Sequence, residues 1–177
     1  MTSVTPEQSG REALAVAPRR WVQPAVYAVA VVVLVAVTGW VSTHPDSLPT
    51  SRTRVVASTP ITQPVFIGVF DTPAGFDRDL HIAGVHVSAT STVDVTITPH
   101  VCHGGSLSVT TTPDTFCASL GPTEDAALDE GDEVVLEVVG DAPGVVDIDR
   151  VRIAYRDGLQ WATQDAGAAS QVTILPR

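Results

Sequence analysis

Residues Ala25 to Val41 read AVYAVAVVVLVAVTGWV, a stretch without a charged side chain that divides the chain into a short first part and a long second part. Extended to residues 21–42, a helix would measure about 33 Å, close to the roughly 30 Å hydrocarbon core of a bilayer. Trp21 and Trp40 would then fall near the two membrane interfaces, where tryptophan is enriched. The sequence therefore predicts a transmembrane helix over residues 21–42.

Arginines near this stretch predict its orientation. Arg19 and Arg20 directly precede it, whereas Arg52 comes well after its end. Positive charge beside a span tends to remain in the cytoplasm, so we expect a cytoplasmic, disordered tail over residues 1–20. The rest would lie outside the cell, in a single-pass protein of the cell membrane. The stretch ends without an Ala-x-Ala cleavage site, which favours an uncleaved signal anchor over the alternative, a cleaved signal peptide.

The composition indicates a compartment and excludes one class of partner. All ten basic residues are arginine, and the chain has neither lysine nor asparagine. Both missing types use A-rich codons, which indicates a GC-rich genome and, with an exported domain, a bacterial cell envelope. From Pro64 onward the chain carries seventeen acidic residues and five arginines. So acidic a region repels nucleic acid, and we expect no nucleic-acid partner.

The region after the predicted span has two parts. Residues 43–63 are rich in Ser, Thr and Pro, which is typical of an extended stalk. From residue 64 the sequence changes to short β-branched runs that alternate with polar residues and are separated by Gly, Pro and Asp. This pattern predicts an all-β domain over residues 64–177, folded as an Ig-like antiparallel β-sandwich.

The predicted strands follow from one apolar run, at Val65–Phe70, and otherwise from period-two alternation. They are Val65–Phe70, Ile82–Ser88, Thr92–Thr98, Ser106–Thr110, Glu133–Val139, a run from Val146 to Tyr155, Leu159–Thr163 and Val172–Leu175. Val146 and Ile148 share one parity, whereas Val151, Ile153 and Tyr155 share the other, so we expect a bend or bulge near Asp149. After the turn at residues 156–158, Trp161 is predicted to face the core.

The two cysteines of the chain give the clearest chemical prediction. Cys102 and Cys117 both lie in the region expected outside the cell, where thiols oxidise, so we predict a disulfide. Closing this loop would stabilise the domain by about 3 kcal/mol. The alternative is a copper or zinc site formed by His100, Cys102, His103 and Cys117, whose side chains are soft metal ligands.

Other groups of polar residues give weaker predictions of a calcium site or a catalytic site. The acidic run at Glu124, Asp125, Asp129, Glu130, Asp132 and Glu133 lacks the residue order of a preformed calcium loop. Asp147 and Asp149 have the spacing of paired carboxylates on a strand, and Ser106 or Ser108 lie near histidines, but no serine stands in a nucleophile elbow. We therefore predict that the protein is not an enzyme and has no cofactor.

One segment resembles a known type of domain. Residues Asp149 to Gln164, DRVRIAYRDGLQWATQ, are similar to the closing strand pair of small, single-pass, extracytoplasmic domains of high-GC Gram-positive bacteria. The resemblance covers about a fifth of the predicted β-domain and includes no catalytic motif. It implies a β-sandwich in the cell envelope and agrees with a disulfide, and it transfers no active site.

The functional prediction follows from this organisation. A tethered domain gains effective concentration at the membrane, which suits partner binding. We expect a non-enzymatic interaction module whose partner is another envelope or membrane protein. The alternative is an extracytoplasmic metal-binding domain that uses His100 and His103.

Overall fold

A computed structural model describes residues 22–43 and 45–177. The chain forms the helix α1 (Val22–Thr43) and then β1 (Val55–Pro60), β2 (Val65–Asp71), β3 (Leu80–His86), β4 (Ala89–Ser91), β5 (Val95–His103), β6 (Val109–Thr110), a short 3₁₀ helix (Pro113–Thr115), β7 (Ser119–Pro122), β8 (Ala127–Leu128), β9 (Glu133–Gly140), β10 (Gly144–Ile148), β11 (Val151–Asp157), β12 (Gln160–Ala166) and β13 (Ser170–Leu175). The chain divides into two compact units, and the boundary lies between Thr38 and Gly39.

The helix α1 occupies the apolar stretch, and its described side chains, from Val26 to Val41, are all exposed. Among the residues that the structure describes, no helix is both long enough and apolar enough to cross a membrane. The spanning role of residues 21–42 stays a prediction. The cytoplasmic tail over residues 1–20, with Arg19 and Arg20, lies outside the described residues, as does Trp21. Trp40 lies on α1 and is 67% exposed.

The second unit is built from three sheets, so the prediction of an all-β fold is confirmed and the arrangement is consistent with a β-sandwich. The strand orders are β1-β13-β10-β4, β12-β11-β3-β8 and β6-β2-β9-β5-β7. Most neighbouring strands are antiparallel, but β1 and β13 pair in parallel. The prediction of a wholly antiparallel fold is therefore wrong for the pair of β1 and β13.

The longest apolar runs occupy the middle of the third sheet. β9 pairs with β2 on one side and with β5 on the other, and both its neighbours bury large side chains against it. Nearly all residues of β2 and β9 are buried, which is the pattern of strands covered on both faces. These two strands carry much of the core, and β9 begins at the buried Glu133, directly after the buried Asp132.

The expected change of phase near Asp149 is confirmed and has a topological cause. β10 ends at Ile148 and β11 begins at Val151, and the two strands belong to different sheets. The chain crosses between sheets at Asp149 and Arg150, which lets Ile148 and Val151 both point into the core. The crossing also leaves these two polar residues exposed at the end of both sheets.

Part of the segment predicted as a stalk is instead folded. Val55–Pro60 forms β1 and pairs with β13 over its full length. Leu48 is buried in the core, as are Ala57 and Thr59. The prediction of a stalk over residues 43–63 is wrong for this part, because Val55–Pro60 pairs edge to edge with β13 and turns alternate residues, Ala57 and Thr59, inward.

Trp161 is a second correction. It was expected in the core, yet it is 63% exposed. Residues directly opposite in an antiparallel pair share a face, and β12 places Ala162 and Gln164 opposite the buried Tyr155 and Ile153. The large side chains of β11 already fill this face, so β12 supplies small or polar partners to it. Trp161 points outward.

Candidate functional site

Several charged side chains of the described residues line a cavity of about 500 Å³, here called the arginine cavity. It lies where the segment before β1, the end of β3, the β10–β11 connection and the end of β12 meet. It is lined by Ser51, Arg52, Thr53, Arg54, His86, Ser88, Asp149, Arg150, Arg152, Asp165 and Ala169. Its volume falls in the range of pockets that hold small ligands or single side chains of a partner.

The segment before β1 forms one wall of this cavity and is fixed by backbone hydrogen bonds. We call residues 49–54 the N-terminal strap. The amide of Ser51 donates to the carbonyl of Gly167 (2.8 Å), and the amide of Gly167 donates to the carbonyl of Pro49 (2.9 Å). Gly167 has φ +66°, and a Cβ there would lie 1.7 Å from the carbonyl oxygen of Val69. Only glycine fits at this junction, and it holds the strap in place.

Two of the four cavity arginines pair with carboxylates. Arg54 forms an ion pair with Asp147 (2.5 Å), and Arg152 forms one with Asp165 (3.2 Å). All four of these side chains are about half exposed or more. Exposed ion pairs contribute only about 0–1 kcal/mol to stability, so these two pairs neutralise charge in the cavity and add little to the stability of the fold.

The other two arginines have no carboxylate partner. Arg150 donates from Nε (3.3 Å) and Nη2 (3.0 Å) to the backbone carbonyl of Ser51. Within the described part of the chain, Arg52 makes no hydrogen bond or ion pair. A neutral carbonyl cannot compensate a guanidinium charge, so the cavity has positive charge at Arg52 and Arg150 that no pairing neutralises.

The predicted disulfide is confirmed. Cys102 of β5 and Cys117 are bonded to each other, and both are buried. The bond joins β5 to the loop that follows the 3₁₀ helix, so it fixes one edge of the third sheet.

The predicted metal ligands are engaged elsewhere. With Cys102 and Cys117 oxidised, neither supplies a thiolate. The Nε2 of His100 lies 3.0 Å from Oε2 of Glu137, and the Nδ1 of His103 lies 2.9 Å from Oδ2 of Asp132. The described residues contain no group of three or more His, Cys, Asp or Glu side chains arranged to hold a metal ion. The structure thus gives the metal-binding alternative no support.

A second polar region, here called the carboxylate turn, comprises residues 129–133. Asp132 is 5% exposed, and its carboxylate accepts the amides of Gly104 (2.9 Å) and Asp129 (3.1 Å) besides the ring of His103. Burial acts to raise the pKa of Asp132, but these donors together lower it below its usual value. The contribution of Asp132 to stability is therefore present above pH 3.8, the ordinary value, and is lost as the pH falls through the lowered pKa.

Glu133, the next residue, shows the opposite shift. It is 5% exposed, and its Oε2 accepts the amide of Leu107 (2.6 Å). Burial raises the pKa of Glu133 to about 7; the bond from Leu107 opposes this rise, and the nearby charge of Asp71 adds to it. Room for this side chain exists because Gly68 lacks a Cβ, which would lie 2.0 Å from Oε1.

Three carboxylates of the acidic run that was considered for calcium accept hydrogen bonds from backbone amides instead. Asp132 and Glu133 accept backbone amides, and Glu130 accepts the amide of Gly75 (2.9 Å). Asp147 and Asp149, considered as a carboxylate pair, lie near the arginine cavity instead, where Asp147 binds Arg54 and Asp149 forms part of the lining.

Sequence reasoning missed the arginine cavity. A signal was present: Arg52 with Arg54 and Arg150 with Arg152 form two Arg-x-Arg pairs in a chain with only ten arginines. The pairs are about a hundred residues apart, and nothing in the local pattern indicates that they meet.

No family model matches the chain, and neither a curated protein nor a solved structure shows a significant match to it. The function must therefore be argued from the geometry of the site.

Proposed function

We propose that the β-domain is a non-enzymatic interaction module of the cell envelope and that it binds its partner at the arginine cavity. In the same proposal the chain is a single-pass membrane protein with a cytoplasmic N-terminus, residues 21–42 act as a signal anchor, and the domain has an Ig-like sandwich arrangement. The partner is an envelope or membrane protein.

One observation carries the binding role: four arginines gather in one cavity of a strongly acidic domain. Residues 48–177 contain seven arginines and seventeen acidic residues, and four of those arginines line this single concavity. Like charges placed together repel, and two of these guanidinium groups have no carboxylate partner, so the cavity favours the binding of an anion. A local positive field within a negative surface also orients an approaching partner.

Two further observations support the envelope setting. Disulfides persist in oxidising compartments and are rare in the cytosol. Both cysteines of this chain are joined in a disulfide. The described side chains of α1 are apolar over most of their length and exposed. A bilayer would cover them.

Site-specific photo-crosslinking of the full-length chain in cell membranes tests the proposal. A photoreactive side chain at Thr53 or Ser88, both exposed in the cavity lining, should yield one discrete adduct with another protein. The same side chain at Thr111, exposed on the loop after β6, is the matched control and should yield none. Equal labelling from all three positions, or no adduct from any, would contradict the proposal.

Accessibility labelling tests the orientation separately. A single cysteine introduced near the N-terminus, in a chain whose own cysteines remain bonded, should resist a membrane-impermeant thiol reagent in intact cells. A cysteine at Leu159, which is 91% exposed in the β-domain, should react. Reaction at both positions, or at neither, would exclude the proposed topology.

A further inference from the structure

We infer that the arginine cavity binds a single carboxylate, presented by a protein segment whose neighbouring residues are uncharged, and that Arg52 and Arg150 are the two groups that hold it. This inference rests on the proposed function and specifies the chemistry of the partner. Its support is the charge count of the cavity, the contacts of its arginines and the charge of the surrounding domain.

Two of the four cavity arginines are available to a ligand. Arg54 and Arg152 already have carboxylate partners, Asp147 and Asp165. Arg52 has no partner among the described residues, and Arg150 contacts only a backbone carbonyl. A guanidinium presents a planar fork that matches a carboxylate, and charge-assisted bonds are about twice as strong as neutral ones. A carboxylate would therefore displace the carbonyl of Ser51 from Arg150.

The charged side chains of the cavity do not balance each other. The lining contains four arginines against Asp149 and Asp165, and Asp147 neutralises Arg54 from outside the lining. Among these arginine and aspartate side chains, one positive charge remains in excess. One carboxylate restores neutrality, whereas a phosphate monoester, which carries nearly two charges at pH 7, would exceed it.

The surface around the cavity restricts the rest of the ligand. The remainder of the domain is strongly acidic, so a polyanion such as a polyphosphodiester would be repelled beyond the cavity mouth. Within the cavity, the exposed carboxylate of Asp149 and the hydroxyls of Ser51 and Ser88 can accept hydrogen bonds from amides. A peptide backbone supplies amides on both sides of an acidic side chain. These features favour a protein segment.

The experiment is a titration of the ¹⁵N-labelled full-length chain, kept in mild detergent, with a defined probe. The probe is the blocked tripeptide acetyl-Gly-Glu-Gly-amide, and its Gln analogue is the neutral control. The Nε–H resonances of Arg52 and Arg150 should shift in a saturable way, with a Kd on the order of 1 mM, as suits one charge-assisted contact. The Gln analogue should bind at least about tenfold more weakly.

Matched variants localise the effect. Arg52→Gln and Arg150→Gln should each weaken binding of the Glu probe by about tenfold. Arg156→Gln is the control, since Arg156 is an exposed arginine of β11 outside the cavity and should leave the Kd unchanged. Binding that survives both cavity variants, or no saturable shift with the Glu probe, would overturn the inference.

Two other outcomes separate the possibilities. If glycerophosphoglycerol, a phosphodiester with one charge, binds as tightly as the Glu probe, the assignment of a carboxylate is wrong. If the photo-adduct from Ser88 persists in Arg52→Gln and Arg150→Gln, the interaction module stands and this inference fails. If the probe binds as expected but wild-type membranes give no adduct, the proposed function fails while the carboxylate site remains.

Discussion

The arginine cavity and the carboxylate turn hold charge in opposite ways. Asp132 and Glu133 are buried, and their oxygens accept backbone amides from other parts of the chain. Arg52 and Arg150 are exposed, and neither meets a carboxylate. Charges that are buried and bonded fix the fold, whereas exposed and unneutralised charges remain available to a ligand. The contrast predicts that changes in the turn affect stability and changes in the cavity affect binding.

The largest expected effect is at Gly68, which leaves space for the side chain of Glu133. In Gly68→Ala the new Cβ would lie 2.0 Å from both Oε1 of Glu133 and the carbonyl oxygen of Leu107. The backbone must shift or the carboxylate must lose its site, and we expect the free energy of unfolding to fall by about 3 kcal/mol. Urea denaturation followed by circular dichroism measures it.

Gly84→Ala is the matched control, because Gly84 is also in a strand and a Cβ there meets no atom within 4 Å. It should change the unfolding free energy by less than about 1 kcal/mol. Equal losses in the two variants would mean that the space at Gly68 is unimportant.

The second effect is at Asp132. In Asp132→Asn an amide group replaces one of the two oxygens that accept N–H donors, so at least one donor loses its partner and faces another donor. We expect a loss of about 2 kcal/mol in the free energy of unfolding. Asp129→Asn, at an exposed side chain of the same turn, should cost under about 0.5 kcal/mol. If the urea midpoint of Asp132→Asn equalled that of the wild type, the carboxylate of Asp132 would not stabilise the turn.

The third effect depends on pH. The pKa of Glu133 is raised from 4.5 to about 7, so the folded state binds more protons than the unfolded state between these values. Stability should therefore decrease as the pH rises from 4.5 through 7, by about 1–2 kcal/mol after allowance for screening. Unfolding curves at pH 5, 6, 7 and 8 measure this slope.

Glu133→Gln should abolish that slope, since Gln keeps an acceptor for the amide of Leu107 and does not ionise. Glu124→Gln, at an exposed residue, should retain it. A slope that is identical in wild type and Glu133→Gln would assign the pH dependence to other groups.

The smallest expected effect on stability is at the cavity. Arg52→Gln removes an exposed side chain without a partner among the described residues, so the unfolding free energy should change by less than about 0.5 kcal/mol. Thermal unfolding measures it beside the binding titration. If Arg52→Gln lowered the unfolding free energy as much as Asp132→Asn does, Arg52 would stabilise the fold, and the contrast between the cavity and the carboxylate turn would be wrong.

Part of this molecule could be predicted because the signal is local. An apolar run identified the strand Val65–Asp71, and alternation of apolar and polar residues identified Glu133–Gly140, each almost to its ends. The disulfide followed from there being only Cys102 and Cys117 to pair. The parity change near Asp149 was visible because a strand cannot bury both parities toward one core without a break.

The errors occurred where distant strands decide the outcome. Val55–Pro60 was assigned to a stalk because its Ser, Thr and Pro content resembles a linker, but β13 offers it an edge on which to pair. Trp161 was placed in the core by its apolarity, yet Tyr155 opposite Ala162 already occupies that side. In both cases tertiary pairing overrode composition.

The sequence by itself determined the apolar segment, the acidic composition, the strand periodicity and the pairing of two cysteines, because each depends on residue type and on near neighbours. The tertiary structure alone decided that two Arg-x-Arg pairs, about a hundred residues apart, line one cavity. The physical reason is that the parallel pairing of β1 with β13 and the crossing between sheets at Asp149 and Arg150 bring these segments together. Charge in a site is set by which side chains meet in space, and local sequence patterns do not encode those meetings.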